Sequence, residues 1–252
     1  MSAIDLIIDL HRRNDRQGPG STARTRLAIE LAGLKPSAEL AVADVGCGTG
    51  ASALVLAGET DAFVTAIDSS SVFIETLRQR AERAGLASRI RPMIGHMEAL
   101  PFEDHSLDVI WSEGAIYNIG FAAGVRAWRR FLKPGGVIAL SELSWTTSDR
   151  PKDVEAHWLR EYGEIETPAS KFRVLEEAGY SPVGFFFLPR ECWEEQYYTP
   201  LRAGFGAFLD RSSHSVEARR IVEAEEQEMR MYRERGQWYG YGFYIARRTW
   251  DE

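Results

Sequence analysis

Several things are scarce in this chain, and each scarcity removes a class of protein. Only two of its 252 residues are cysteine, Cys47 and Cys192. They stand far apart and match no metal-ligand spacing, so neither a disulfide framework nor a metal site is expected. Two unpaired thiols suit a reducing compartment, and a cytoplasmic protein is the expectation. No apolar run approaches the ~20 residues that a membrane-spanning helix needs. The opening stretch MSAIDLIIDLHRRNDRQGPGS sets acids among its apolar residues and places arginine after them. A secretory signal has its basic residues first, so this order does not fit one. Lysine occurs four times, at 35, 133, 152 and 171, and 37 acids outnumber 30 bases for a formal net charge of −7. The basic excess of a nucleic-acid-binding protein is missing at the level of the whole chain.

What is present is ordinary globular composition, 44% hydrophobic and 27% charged. The length suits one large domain or two small ones. Ile4, Ile7, Ile8 and Leu10 fit a short helix over 3–14, and RQGPGS at 16–21 breaks it. Ser21 is placed to cap a second helix running to Leu31, stopped by Gly33 and Pro36. Strands are expected at 40–46, 62–68, 89–95, 106–112 and 136–143, the last entered through the turn Pro134-Gly135-Gly136. Helices are expected between them, at 50–59, from Ser69 to a stop at Gly85, and at 121–132. Such alternation indicates a parallel sheet with helices on both faces and right-handed crossovers. The second half adds a helix in PKDVEAHWLREYG and another after Thr167-Pro168. A strand at 181–189, a long helical stretch over 193–235 and a strand at 237–248 follow. A strand that closes the chain after a helical excursion favours a single domain over 1–252. Its parts would be a helical cap (1–36), a core (37–145) and a helical insertion (190–236).

The chemistry concentrates in VADVGCGTGAS, residues 42–52. Glycines at 46, 48 and 50 let a backbone turn tightly and approach a ligand closely. Gly46-x-Gly48-x-x-Ala51 fits the loose dinucleotide pattern, and Asp68 lies about 20 residues on, where a ribose-binding acid belongs in that fold. A nicotinamide-dependent dehydrogenase is therefore one reading. Against it, Asp44 puts a negative charge just before the loop, which suits an ammonium or sulfonium better than a pyrophosphate. No Tyr-x-x-x-Lys pair of the kind used by many short-chain dehydrogenases is present either.

Four pieces in order, VADVGCGTG, TAIDSS, GHMEALPFEDHSLDVIWSEGA and FLKPGGVIALSE, together resemble the class I S-adenosylmethionine-dependent methyltransferases. The likeness is to the small-molecule branch typified by ubiquinone/menaquinone-biosynthesis-type enzymes, and it covers residues 40–145 best. It implies a Rossmann-like, doubly wound, mostly parallel seven-stranded sheet with a final antiparallel strand. It also implies S-adenosylmethionine as methyl donor, with S-adenosylhomocysteine as product, and no metal.

Carried onto this sequence, the resemblance puts Gly46, Cys47, Gly48 and Gly50 under the methionine and ribose portion of the cofactor. Asp44 would favour its amino group, directly or through water. Asp68 would accept from both ribose hydroxyls, because one carboxylate can serve two donors. Ser69 would line the adenine edge, although plain helix capping also explains one serine of 69–71. His96, Met97 and Glu98 form the turn beside the adenine. Many members carry an acid where His96 stands; the departure leaves its side-chain role open and the Met97 backbone contact intact. Ser112 and Glu113 end the fourth strand, where open α/β sheets expose their ligand crevice. Arg16, in the N-terminal RQGPGS turn, is a candidate for the cofactor carboxylate.

Methyl transfer from a sulfonium needs alignment more than catalytic groups. A general base is needed only where the acceptor must first lose a proton. Glu113 and Tyr117 are the candidates, with a pocket-wall role the plainer reading of Tyr117. His105, His157 and His214 have no evident partner. The acceptor is expected to be a small molecule. Base-methylating enzymes often carry Asn/Asp-Pro-Pro-aromatic after the fourth strand, where SEGAIYN stands here. Trp193, Tyr197, Tyr198, Phe205 and Phe208 read first as helix core, second as a lid or a homodimer contact. Residues 215–235, with Glu226 and Arg230 at helix-pair spacing, read as a solvated face. A binder of S-adenosylmethionine without catalysis is the third reading beside methyltransferase and dehydrogenase.

Overall fold

The computed structural model describes residues 2–250. The chain opens with α1 (Ala3–His11), held by a capping box in which the Ser2 hydroxyl accepts from Asp5 N–H and the Asp5 carboxylate accepts from Ser2 N–H. Helix α2 (Thr22–Leu31) starts at Ser21, whose hydroxyl accepts from Arg24 N–H as its position predicts. Then come β1 (Ala41–Val45), α3 (Ala51–Thr60), β2 (Phe63–Asp68), α4 (Ser71–Arg83), β3 (Ile90–Ile94), β4 (Leu107–Glu113) and α5 (Phe121–Trp128). The second half contains β5 (Leu132–Trp145), α6 (Lys152–Tyr162), α7 (Pro168–Glu177), β6 (Tyr180–Phe187), α8 (Arg190–Trp193), α9 (Thr199–Arg211), α10 (Val216–Arg235) and β7 (Tyr239–Arg248).

The seven strands form one sheet in the order β3-β2-β1-β4-β5-β7-β6. The pairs β2–β3, β1–β2, β1–β4 and β4–β5 are parallel, and β7 runs antiparallel to both β5 and β6. This is the mostly parallel, seven-stranded sheet with an antiparallel closing strand that the resemblance implies. After β1 the chain builds outward to β3 and then returns to β4 on the other side of β1. That reversal makes a crevice at the carboxyl ends of β1 and β4.

Three expectations about boundaries change. The turn at Pro134-Gly135-Gly136 does not precede β5 but lies within it, at a register shift between Leu107 and Val109 of the neighbouring strand. Pro134 has no N–H to offer the ladder, and a bulge accommodates that. The helix expected over 121–132 stops at Trp128, and a 3₁₀ turn over Arg129–Phe131 leads into β5. The long stretch 193–235 is likewise divided. A π-helical segment, Glu194–Tyr198, follows α8, and a turn at 212–215 separates α9 from α10.

The sheet buries a different set of side chains on each face, as the period of two requires. Val42, Val64, Val109, Trp111 and Val137 face one apolar layer, while Ala43, Val45, Ile110, Ile138 and Leu140 face the other. Leu6 and Leu10 of α1 share the first layer with Phe205, Phe208 and Met229 of α9 and α10. The N-terminal helices and the helices before β7 therefore pack together over one face. Polar ties reinforce this: Arg211 donates to Asp9 at 3.0 Å, and His11 Nε2 lies 3.1 Å from Glu225 Oε1.

Candidate functional site

A cavity of about 620 Å³ opens at the crevice, inside the range usual for small-molecule sites. Its floor is the glycine loop. Gly46, Gly48 and Gly50 all have positive φ, +73°, +54° and +86°, a region that a side chain disfavours. Protein side chains fill the space beside each of them. A Cβ on Gly46 would stand 2.3 Å from Ala115 Cβ, one on Gly48 2.3 Å from Gln17 Oε1, and one on Gly50 2.0 Å from Leu77 Cδ1. The glycines thus admit neighbouring segments as well as shape the turn. The loop is fixed further by Gly46 N–H and Cys47 N–H, which both donate to Ile67 C=O. Gln17 straps it from above, accepting from Thr49 N–H at 2.8 Å.

Asp68 ends β2 on the cavity wall. Its Oδ2 accepts from Gly48 N–H at 2.9 Å and its Oδ1 from Ser70 N–H at 2.8 Å. Each oxygen keeps a lone pair for a ligand. Burial raises its pKa above the ordinary carboxyl value, opposed by those two bonds. Ser69 is exposed at the rim, and Ser70 is the serine that caps α4. His96, Met97 and Glu98 also line the cavity, with His96 and Glu98 exposed. The Met97 carbonyl accepts from Trp128 Nε1 at 2.9 Å, which holds this turn in place.

Three sequence candidates, Asp44, Gly50 and Ser112, stand behind the wall. Gly50 turns the chain into α3 against Leu77 and does not line the cavity. The other two are buried side chains, both 0% exposed. Asp44 Oδ2 accepts from Ser52 Oγ at 2.7 Å, and Ser52 does line the cavity. Asp44 Oδ1 and Ser112 Oγ have no hydrogen-bond partner among the described residues. Burial pushes the Asp44 carboxyl up to about 7, because a charge without water is costly. A direct reach from Asp44 to a ligand is replaced by one through Ser52.

Glu113 is the most heavily engaged carboxylate of the site. Arg16 Nη1 donates to its Oε2 at 2.7 Å, while Thr25 Oγ1 and Trp111 Nε1 donate to its Oε1 at 2.7 and 3.0 Å. Arg16 also donates to Thr25 through Nη2. This cluster ties the N-terminal segment to the end of β4. Glu113 is committed to that tie, which argues against its use as a proton acceptor. Arg16 lines the cavity with its charge already met. Tyr117 stands in a 3₁₀ turn after β4, its ring centroid 4.7 Å from that of Tyr162 and tilted 34° to it. Burial raises its hydroxyl above the ordinary value, so it stays protonated at neutral pH and suits a wall better than a base.

The opposite end of the cavity is aromatic. Trp158 and Tyr162 come from α6, Trp193 from α8, Tyr197 from the π-helical segment and Tyr241 from β7. Glu228 of α10 joins them on this wall. Trp193 and Tyr197 are buried, as the helix-core reading expects, and they also meet the cavity. Phe205 and Phe208 are core. Gln17, Ser52, Trp158, Tyr162, Tyr241 and Glu228 went unnoticed. One signal was available for Glu228. Ile221, Glu225, Glu228 and Tyr232 recur at helix spacing, so two acids share the apolar stripe of α10. The reading of 215–235 as a solvated face holds for Glu226 and Arg230, a 3.9 Å pair with both side chains largely in solvent, and fails for Glu225, paired with His11, and for Glu228, on the cavity wall. Among the described residues no group of three or more His, Cys, Asp and Glu is arranged to hold a metal, and no helix is long and apolar enough to cross a membrane.

Comparison with known proteins agrees with this geometry. Residues 42–136 match the family described as methyltransferase domain. The chain is 31% identical over 175 residues to 27-O-demethylrifamycin SV methyltransferase of Amycolatopsis mediterranei, covering 67% of this chain and 64% of that one. It is 36% identical over 124 residues to malonyl-[acyl-carrier protein] O-methyltransferase of Dechloromonas aromatica, covering 48% and 44%. These matches span less than two thirds of the relatives' own length. Among solved structures, a SAM-dependent methyltransferase from Thiobacillus denitrificans in complex with S-adenosyl-L-homocysteine superposes with a TM-score of 0.81 at 20% identity, covering 98% of both chains. A second, from Geobacter sulfurreducens, gives 0.79 at 21% identity, covering 91% and 92%. Motif order, matched domain and sheet topology together make this chain a member of the class I S-adenosylmethionine-dependent methyltransferase superfamily.

Proposed function

We propose that the protein transfers a methyl group from S-adenosylmethionine to a small-molecule acceptor. The observation that carries this reading is the shape of the cavity. One continuous space has the glycine loop and Asp68 at one end and an aromatic wall at the other. That is what a two-substrate displacement needs, since the enzyme's main task is to hold donor and acceptor in line. When bound, S-adenosylmethionine supplies a methyl carbon already activated by the sulfonium.

The chain's own residues bind and orient. Asp68 accepts from the two ribose hydroxyls with the lone pairs its backbone bonds leave free. Ser52, backed by Asp44, meets the amino group, and the unpartnered Oδ1 of Asp44 fits a nearby positive charge. The turn His96–Met97–Glu98 and Ser69 border the adenine. Gly46, Cys47 and Gly48 form the floor, and Gly50 shapes the turn behind it. Arg16 and Glu113 act as positioning residues by clamping the N-terminal segment over the site. Residues 2–250 work as one domain on this reading, supported by β7, which comes from the chain's end and lies between β5 and β6. A cytoplasmic setting is supported by two buried free thiols, and a non-nucleic-acid acceptor by the net charge of −7.

The test is incubation with methyl-labelled S-adenosylmethionine and a metabolite extract, followed by mass spectrometry. A labelled product formed with S-adenosylhomocysteine is expected. Binding of S-adenosylmethionine with no labelled product in any fraction contradicts catalysis.

A further inference from the structure

We propose that the aromatic end of the cavity is a site for an amine, with Glu228 as the counter-charge and proton acceptor for its nitrogen. The inference rests on the methyl-transfer reading and names the acceptor class.

Charge limits the choice first. Among the described residues Arg16 is the one Arg or Lys on the cavity wall, and it is spent on Glu113 at 2.7 Å. An acceptor carrying a carboxylate or phosphate would meet no free cation there and would face Glu228. The rings limit it next. Trp158 and Tyr162 lie 5.9 Å apart at 81°, Trp193 and Tyr241 5.3 Å apart at 43°. Rings so inclined offer π faces in several directions, the arrangement that attracts a cationic nitrogen. The Tyr162 and Tyr241 hydroxyls bond each other at 2.8 Å, so both present mainly ring surface.

Glu228 supplies the remaining element. Its Oε1 accepts from Tyr198 Oη at 3.0 Å, which fixes the carboxyl in place. No hydrogen bond engages its Oε2 among the described residues, and the side chain lines the cavity. Burial, with Glu225 close by, raises the carboxyl to about 7. That brings its basicity nearer to that of an amine than an ordinary carboxylate comes.

The step balances as follows. A secondary or tertiary amine arrives as its ammonium, and Glu228 Oε2 takes the N–H proton. The freed lone pair forms the N–C bond to the methyl carbon as the C–S bond breaks, and that electron pair stays on sulfur as a thioether. The positive charge passes from sulfur to the methylated nitrogen, which the rings continue to hold.

The experiment titrates choline, and separately its uncharged isostere 3,3-dimethyl-1-butanol, into protein saturated with S-adenosylhomocysteine. Tryptophan fluorescence reads binding, because Trp158 and Trp193 form the wall. The proposal expects choline to bind about tenfold tighter or more. Glu228→Gln should cut that preference to about threefold or less, with affinity for S-adenosylhomocysteine within about twofold of the parent. Trp158→Leu should weaken choline more than the alcohol, an independent check should Glu228→Gln not fold. Equal binding of the two probes, no binding of either, or a preference untouched by Glu228→Gln overturns the amine site and leaves the methyl-transfer reading standing. Failure of S-adenosylhomocysteine to bind at all overturns both.

Discussion

The two ends of the cavity are built in different ways. The glycine-loop end is made largely by backbone. Its turn is set by three left-handed glycines, and the carboxylate at its edge, Asp68, is itself oriented by two backbone N–H groups. All of these lie within residues 42–136, the part that matches the methyltransferase domain. The aromatic end is made by side chains from α6, α8, the π-helical segment, α10 and β7, all outside that part. A site written in backbone conformation needs a contiguous motif, because neighbouring residues must take specific φ and ψ values. A wall made of side chains needs only that distant elements converge, so its residues change without disturbing the loop. On this account the first end takes the methyl donor common to the superfamily, and the second end chooses the acceptor.

The comparison breaks most visibly where the two ends are joined. Glu113→Gln leaves Arg16 with no charge partner at a site where both side chains are 10% exposed. A loss of about 3 kcal/mol of stability is expected, the lower end for a broken buried pair, read by chemical denaturation. A change under about 1 kcal/mol would mean the N-terminal segment is not clamped this way. Next comes Asp68→Ala, which on the proposed reading removes two charge-assisted hydrogen bonds to the donor. It should lower affinity for S-adenosylhomocysteine about a hundredfold by calorimetry. An unchanged affinity would remove Asp68 from its role.

A smaller effect follows from the buried acids. Asp44 at one end and Glu228 at the other are both raised to about 7, chiefly by burial, as is Glu142 in the core. Between about pH 4 and pH 7 the folded chain keeps protons that the unfolded chain has lost. Stability therefore falls as pH rises through that window and levels above it. Asp44→Asn should ease the slope by up to about 1.4 kcal/mol per pH unit, measured by denaturation at stepped pH. An unchanged slope would show that Asp44 is charged throughout. The smallest expected effect is Glu226→Ala. Glu226 lies two residues from Glu228, on the exposed face of α10 with Arg230 at 3.9 Å. A change under about 0.5 kcal/mol is expected, and a larger one would blur the line between the two faces.

The same division explains what the sequence made legible. The strand, glycine loop and helix of 41–60 could be read because glycine spacing and an apolar run both point to one local geometry. Asp68 followed from its distance along the chain. Asp44 was legible as an acid before the loop, while its burial behind Ser52 was not, because that depends on how α3 packs on β1. Glu113 could be placed at the crevice, yet its partners Arg16 and Thr25 come from 97 and 88 residues away, a distance over which periodicity carries no information. The aromatic wall was least legible. Trp158, Trp193 and Tyr241 look like core residues along the chain, and they are buried; only the fold decides that they also meet the cavity. Pro134-Gly135-Gly136 misled in the opposite sense, since a turn signature marked a bulge inside a long strand.

One titration tests the central claim, that the glycine loop and Asp68 form a site for the methyl donor and not for a dinucleotide. S-adenosylhomocysteine and NADH are each titrated calorimetrically into the purified chain and into Asp68→Ala. The account predicts saturable one-to-one binding of S-adenosylhomocysteine, severely weakened by Asp68→Ala, and no binding of NADH. Binding of NADH without binding of S-adenosylhomocysteine would contradict it.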